Sequence, residues 1–206
     1  MPLAWLAASY LLGAIPTSYL AGRLGRGIDL REHGSRNLGA TNVYRVLGWK
    51  YAIPVGLFDV AKGLIPVVVF GPQSPSVPYF PLWCGALAIV GHVFSVFVGY
   101  KGGKGVATAA GVILGLAPYA LPAVLVVWVL IVRITGYVSL GSIVAAVLFP
   151  LADWFFHPAR RGPVTLAFDV TIAGFIIWKH RANIGRLLAG TENRFGHKPA
   201  AAPPNP

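Results

Sequence analysis

With 206 residues, 56% of them hydrophobic and only 11% charged, the chain departs from the composition of a soluble globular domain. Seventeen Lys and Arg against six Asp and Glu give a formal net charge of +11. Such a bias is one mark of nucleic-acid binding, but here the basic residues lie in loops between long apolar runs, the pattern of the positive-inside rule; anionic headgroups or anionic substrates account for the remainder. The single cysteine, Cys84, lies in an apolar run and excludes a disulfide framework or a cysteine-based metal site.

Several apolar runs approach or exceed the ~20 residues needed to cross a bilayer. They predict an all-α integral membrane protein, one domain over residues 1–198 followed by a disordered tail at 199–206 rich in Pro and Ala. No basic residue precedes the first apolar run, the first being Arg23, which predicts a retained first span with its N-terminus outside.

In chain order, residues 3–22 form the first span. Residues 23–50 are a hydrophilic loop carrying Arg23, Arg26, Arg31, Arg36, Arg45 and Lys50. Residues 51–71 form a second span that contains Asp59 and Lys62, three apart and able to pair, a pair read as structural. A proline-rich turn at 72–79 leads to a return span at 80–98. Residues 105–132 are 28 uncharged positions, about 42 Å as one helix at ~1.5 Å per residue, against a hydrocarbon core of ~30 Å. They make one tilted span, or two short helices broken at Pro118-Tyr-Ala-Leu-Pro122. Residues 137–156 and 164–178 complete six or seven spans.

Charge decides between the two counts. Seven spans place 14 basic residues inside and only Arg160 and Arg161 outside, with Lys62 in a span; six spans give ten against six. The positive-inside rule therefore predicts seven transmembrane helices, some short or broken, with a cytoplasmic C-terminus and every polar cluster on one side.

Three clusters share that side. In Gly34-Ser-Arg-Asn-Leu-Gly-Ala-Thr-Asn-Val-Tyr-Arg45, small polar residues precede a short amphipathic helix that starts near Ala40 and ends at Gly48. Ser35, Asn37, Thr41 and Asn42 offer hydrogen bonds, and Arg45 offers a planar fork suited to a phosphate. The alternative is a solvated basic loop. The second cluster is Gly99-Tyr-Lys-Gly-Gly-Lys-Gly-Val-Ala-Thr108, preceded by Gly91-His92. Its glycines predict uncovered backbone amides beside Lys101 and Lys104, and a helix starting near Gly105 points further N–H groups at the same place, an anion cradle. It is no Walker A loop, because Val98 stands where the first glycine is required and Gly105 replaces the Ser/Thr. The third is Lys179-His-Arg-Ala-Asn-Ile-Gly-Arg-Leu-Leu-Ala-Gly-Thr-Glu192, in which His180, Asn183 and Arg186 lie along one side of a surface helix. An interfacial anchor is the alternative. Ser139 and Ser142 open a later span at the same surface, where close helix packing is the simpler account, with phosphate contact open for Ser142.

No His-x4-Asp, no Gly-x-Ser-x-Gly and no metal-binding set of carboxylates, His or Cys occurs. Cations and hydrogen-bond donors abound, and no nucleophile stands out.

The three stretches, with Asp59-x-x-Lys62-Gly63, resemble the bacterial acyl-phosphate–glycerol-3-phosphate acyltransferases, the PlsY family, over nearly the whole chain. Tyr100 stands where phenylalanine is more usual. The resemblance implies transfer of a fatty acyl group from acyl phosphate to the 1-hydroxyl of glycerol 3-phosphate at the cytoplasmic face of the cell (inner) membrane, giving lysophosphatidic acid and inorganic phosphate, the first step of phospholipid synthesis. It implies no cofactor and no metal. The implied partners are the two substrates and membrane lipids, not nucleic acid, with the enzyme that makes acyl phosphate as a candidate protein partner. Ser35, Arg45, Lys104, His180 and Asn183 are the candidate catalytic residues. Asn37, Thr41, Asn42, Lys101, Gly102, Gly103, Gly105, Thr108, Ser142, Arg186 and Glu192 are the candidate substrate-binding set, and His92 is a candidate base. The rival class is a small multi-span transporter for an organic anion, favoured by broken spans and intramembrane charge.

Overall fold

The computed structural model describes residues 1–196; the expected tail at 199–206 and Lys198 lie outside the described residues. Every regular element among the described residues is helical, as lipid demands of a backbone that must satisfy its own N–H and C=O groups. Four helical stretches are long and apolar enough to cross a membrane: Pro2–Arg26, Trp49–Gln73, Phe80–Val98 and Val138–Phe156.

The first of these is α1 (Pro2–Ala14) followed by α2 (Thr17–Arg26), broken at Ile15-Pro16. Proline lacks an N–H and drives the residue before it out of the helical region; Ile15 has ψ 115°. Two carbonyls at the break are satisfied by neighbouring helices. Ser95 Oγ donates to Ala14 O at 2.5 Å, and Lys62 Nζ donates to Ile15 O at 2.8 Å. Lys62 also pairs with Asp59 Oδ1 at 2.7 Å, both side chains being 1% exposed, and the Thr17 hydroxyl donates to the same oxygen at 2.6 Å. The intramembrane Asp59–Lys62 pair thus fastens a broken helix.

Next come the amphipathic α3 (Ala40–Leu47), which Gly48 ends at φ 85°, and α4 (Trp49–Ile65), prolonged by a π-helical turn over Pro66–Phe70. α5 is Phe80–Val93. Glycines let these helices pack at backbone distance: a Cβ on Gly13 or Gly91 would run into the Ala88 or Tyr10 carbonyl across the α1–α5 contact.

The run 105–132 forms two helices, α6 (Val106–Leu116) and α7 (Ala120–Thr135), parted at Ala117-Pro118-Tyr119. They are 11 and 16 residues long, because α7 continues through Arg133 until Gly136 stops it. α8 (Val138–Phe156), α9 (Pro163–Lys179) and α10 (Arg181–Leu188) complete the chain.

Large apolar side chains such as Leu57, Val126, Ile134 and Phe155 are more than half exposed, while Asp59, Lys62, Ser95 and Thr108 are buried. That inversion suits a protein surrounded by lipid. Between α6, α7, α8 and α9 the packing leaves a cavity of about 380 Å³.

Candidate active site

The cavity has two chemically distinct ends. One is lined by Ser35, Asn37, Thr41, Asn42, Arg45, Lys104, Gly105, His180, Asn183, Ser139, Ser142 and Glu192, with Asp59 and His92 to the side; the other by Ile113, Leu121, Val124, Phe149 and alanines. Two helix starts open onto the polar end, α3 after Gly39 and α6 after Gly105, and neither has a side-chain cap. Their first N–H groups and positive dipole ends therefore join two cations, Arg45 and Lys104, around one space.

Lys104 is oriented by a hydrogen-bond chain. Its Nζ donates to Asn183 Oδ1 at 2.5 Å, and Asn183 Nδ2 donates to Glu192 Oε1 at 2.7 Å. Glu192, whose side chain is 5% exposed, accepts from Ser139 Oγ at 2.9 Å and, through Oε2, from Arg186 Nε at 2.7 Å. Burial pushes the Lys104 ammonium down to about 8; Glu192 opposes that shift, while Arg186 and Arg45 add to it. Burial also lowers Arg45, whose Nε is buried without a partner. His180 Nδ1 lies 2.8 Å from Ile176 O. A carbonyl only accepts, so this nitrogen carries the hydrogen and Nε2 keeps a lone pair. Burial, reinforced by Lys104, pushes His180 down to about 4, which leaves the ring neutral at pH 7.

The loop before α3 is held by its own ion pair. Arg31 clamps Asp29 with Nε at 3.0 Å and Nη2 at 2.6 Å, which takes the Asp29 carboxyl down to about 2. Nη1 of Arg31 donates to Val98 O at 3.2 Å and so ties this loop to the glycine-lysine loop.

Several expected ligands turn out to be scaffold. The Gly102 and Gly103 amides are not uncovered: they donate to Val93 O at 3.1 Å and His92 O at 3.2 Å. These glycines are needed because a Cβ would strike the His92 carbonyl or the Leu38 carbonyl. Asn42 is fully engaged, accepting from Ser35 N at 2.8 Å and donating to Leu30 O and His33 O at 3.2 and 3.1 Å. It shapes the Ser35 loop and has no N–H left for a ligand. Thr108 is wholly buried and does not line the cavity, lying where α6 packs on Gly63 of α4. Lys101 is exposed and also outside the lining. Arg186 reaches the site only through Glu192. The Ser142 hydroxyl lines the cavity but is occupied, donating to Val138 O at 2.9 Å and accepting from Trp128 Nε1 at 3.2 Å. Conversely, Ser139 reaches the site through Glu192, and Trp128 enters with no motif to mark it.

The fold and the cavity define an integral membrane protein with a cationic pocket that continues into an apolar one. The family model for glycerol-3-phosphate acyltransferase matches residues 3–190, and the chain belongs to that family. The glycerol-3-phosphate acyltransferase of Trichlorobacter lovleyi is 50% identical over 191 residues, covering 93% of this chain and 96% of its own. That of Chlorobaculum tepidum is 45% identical over 229 residues, covering 95% and 98%. Among solved structures, the glycerol 3-phosphate form of PlsY (YgiH), an integral membrane glycerol 3-phosphate acyltransferase, superimposes with a TM-score of 0.86 at 39% identity over 95% of this chain and 96% of that one. Its lysophosphatidic acid form gives 0.82 at 39% identity over 95% of each chain.

Proposed function

We propose that this protein transfers a fatty acyl group from acyl phosphate to the 1-hydroxyl of glycerol 3-phosphate, releasing lysophosphatidic acid and inorganic phosphate. The observation that carries this reading is the two-ended cavity, with Arg45, Lys104 and two uncapped helix starts at one end and only apolar side chains at the other. Both substrates bring a phosphate to the first end, and the donor brings a chain to the second.

In this reading Ser35, Arg45, Lys104, His180 and Asn183 bind and orient glycerol 3-phosphate. The neutral His180 Nε2 accepts a hydrogen bond from a glycerol hydroxyl, and Asn183 keeps Lys104 aimed at the phosphate. Asn37, Thr41 and the amides at the start of α6 hold acyl phosphate and the charge that develops on its carbonyl oxygen. These amides take the place first given to Gly102 and Gly103. The 1-hydroxyl oxygen bonds to the carbonyl carbon, the bond from that carbon to the phosphate oxygen breaks, and the hydroxyl proton passes to a phosphate oxygen of the leaving group. An acyl phosphate is already activated, so no protein nucleophile or cofactor is needed. His92, with Nδ1 at 3.8 Å from Asp59 Oδ1, is the competing base.

We further infer seven spans with the N-terminus outside and the C-terminus cytoplasmic, one domain over residues 1–198, and a site facing the cytoplasm of a bacterial inner membrane. The charge count and the α6–α7 break support that topology. An organic-anion transporter would gather its polar groups at mid-membrane between repeats, whereas here they gather at one end of the cavity. The test is phosphate release from acyl phosphate by purified protein. Release that depends on added glycerol 3-phosphate is expected; its absence would overturn the assignment.

A further inference from the structure

Resting on that reading, we propose that Phe149 is the floor of the acyl-chain site and sets the longest donor transferred efficiently. Along α8 the cavity runs from Ser139, beside Glu192, to Phe149. Ten residues of helix make this about 15 Å. An extended chain of ~1.5 Å carbon–carbon bonds advances ~1.3 Å per carbon, so on the order of a dozen carbons reach the floor. The stretch between is walled in part by the small side chains Ala109, Ala110, Ala145 and Ala146.

The floor is closed from behind. Phe149 is 3% exposed and packs with Ala117, Ala120 and Val124. One turn deeper on the same face, Asp153 Oδ2 accepts from Arg160 Nε at 3.1 Å, and Arg160 Nη1 donates to Leu116 O at 3.1 Å. His157 Nε2 accepts from Tyr119 N at 3.3 Å. The α6–α7 break is therefore tied to the α8–α9 turn. These ties brace the end of the cavity, and a chain that overruns it meets a ring backed by the Asp153–Arg160 ion pair.

The experiment measures kcat/KM for acyl phosphates from about eight to about eighteen carbons, with purified wild type, Phe149→Ala, Phe149→Leu and Ala146→Phe. Removing the ring lengthens the bore by about three or four carbons. For Phe149→Ala the ratio of kcat/KM for eighteen- over fourteen-carbon donors should rise about tenfold, with a smaller rise for Phe149→Leu. Ala146→Phe, one turn nearer the polar end, should lower long-chain transfer at least tenfold and spare the shortest donors. Should Phe149→Ala not fold, the leucine and Ala146 variants still give opposite shifts. Unchanged profiles in folded variants would overturn the assignment of the floor while leaving the acyl-transfer reading intact. A wild type inactive with every donor would overturn both.

Discussion

Lys104 and Asn183, 79 residues apart in sequence, meet with the ammonium donating to the amide oxygen at 2.5 Å. The orientation of that amide follows from its two partners. An ammonium only donates and the Glu192 carboxylate only accepts, so oxygen must face Lys104 and nitrogen must face Glu192. Asn183→Asp replaces the donor toward Glu192 with a second carboxylate and draws the Lys104 charge away from substrate. Asn183→Ala leaves both neighbours without their link. Either should lower kcat/KM for glycerol 3-phosphate by about 10- to 100-fold, the range for a broken buried hydrogen bond to a charged group. Steady-state kinetics with a melting curve in detergent checks this; a fall in kinetics matched by global unfolding would argue against positioning.

The Lys104 ammonium, lowered to about 8 by burial, must be protonated to hold a phosphate. It is charged below that pH and neutral above it, so kcat/KM should fall on an alkaline limb near pH 8. Bound phosphate favours the charged form, which moves the limb upward in kcat. Lys104→Arg should remove the limb up to about pH 10, whatever its effect on rate. His180, already neutral above about 4, should contribute no limb between pH 5 and 8. His180→Asn, measured beside His92→Asn, should therefore slow the reaction without flattening the acid side, where substrate phosphate itself titrates near pH ~6. An acid limb near pH ~6.5 that vanishes in either variant would replace substrate assistance with a histidine base.

Much of this was legible because membranes restrict the choices. Pro118 within an overlong apolar run foretold the α6–α7 break, and Gly48 marked a helix end that carries positive φ in the structure. The polar residues of the three clusters were readable as one site once charge placed them on one face. What stayed hidden was the purpose of individual glycines and amides. A glycine makes room for something, but the sequence does not say whether for a ligand or for the chain itself, and at Gly102 and Gly103 it is the chain. Asn42 likewise looked like a ligand because nothing local shows that Leu30, His33 and Ser35 fold back onto it. Trp128 had no signal at all.

The buried pair Asp59–Lys62 makes a prediction about stability. Lys62 neutralises Asp59 and satisfies the Ile15 carbonyl at the α1–α2 break. Removing one partner leaves an uncompensated charge, which costs about 3–5 kcal/mol in buried pairs. Asp59→Asn and Lys62→Met should each lower the melting temperature sharply, and Lys62→Met more so because it also strands a carbonyl. The double variant should be less damaged than the sum of the two. A thermal-shift series in detergent measures this directly, and strict additivity would mean that the two side chains do not act as a pair.

Two neighbouring substitutions separate charge from space in the glycine-lysine loop. Lys101 is exposed and outside the cavity, so Lys101→Ala removes a charge without touching the site. Its kcat/KM should stay within about twofold of wild type, as exposed charges contribute little. Gly103→Ala removes no charge, yet its methyl group would strike Leu38 O and His92 Nε2, and backbone there cannot yield as a flexible side chain would. The loop must move away from α5, carrying Lys104 off Asn183, and a displacement of about 1 Å is enough to reduce turnover on the order of 100-fold. The pair therefore predicts a large loss from adding a methyl group and almost none from deleting a cation. Comparable losses in both would restore Lys101 as a phosphate ligand, and an active Gly103→Ala would return the loop's glycines to a role in binding rather than in fit.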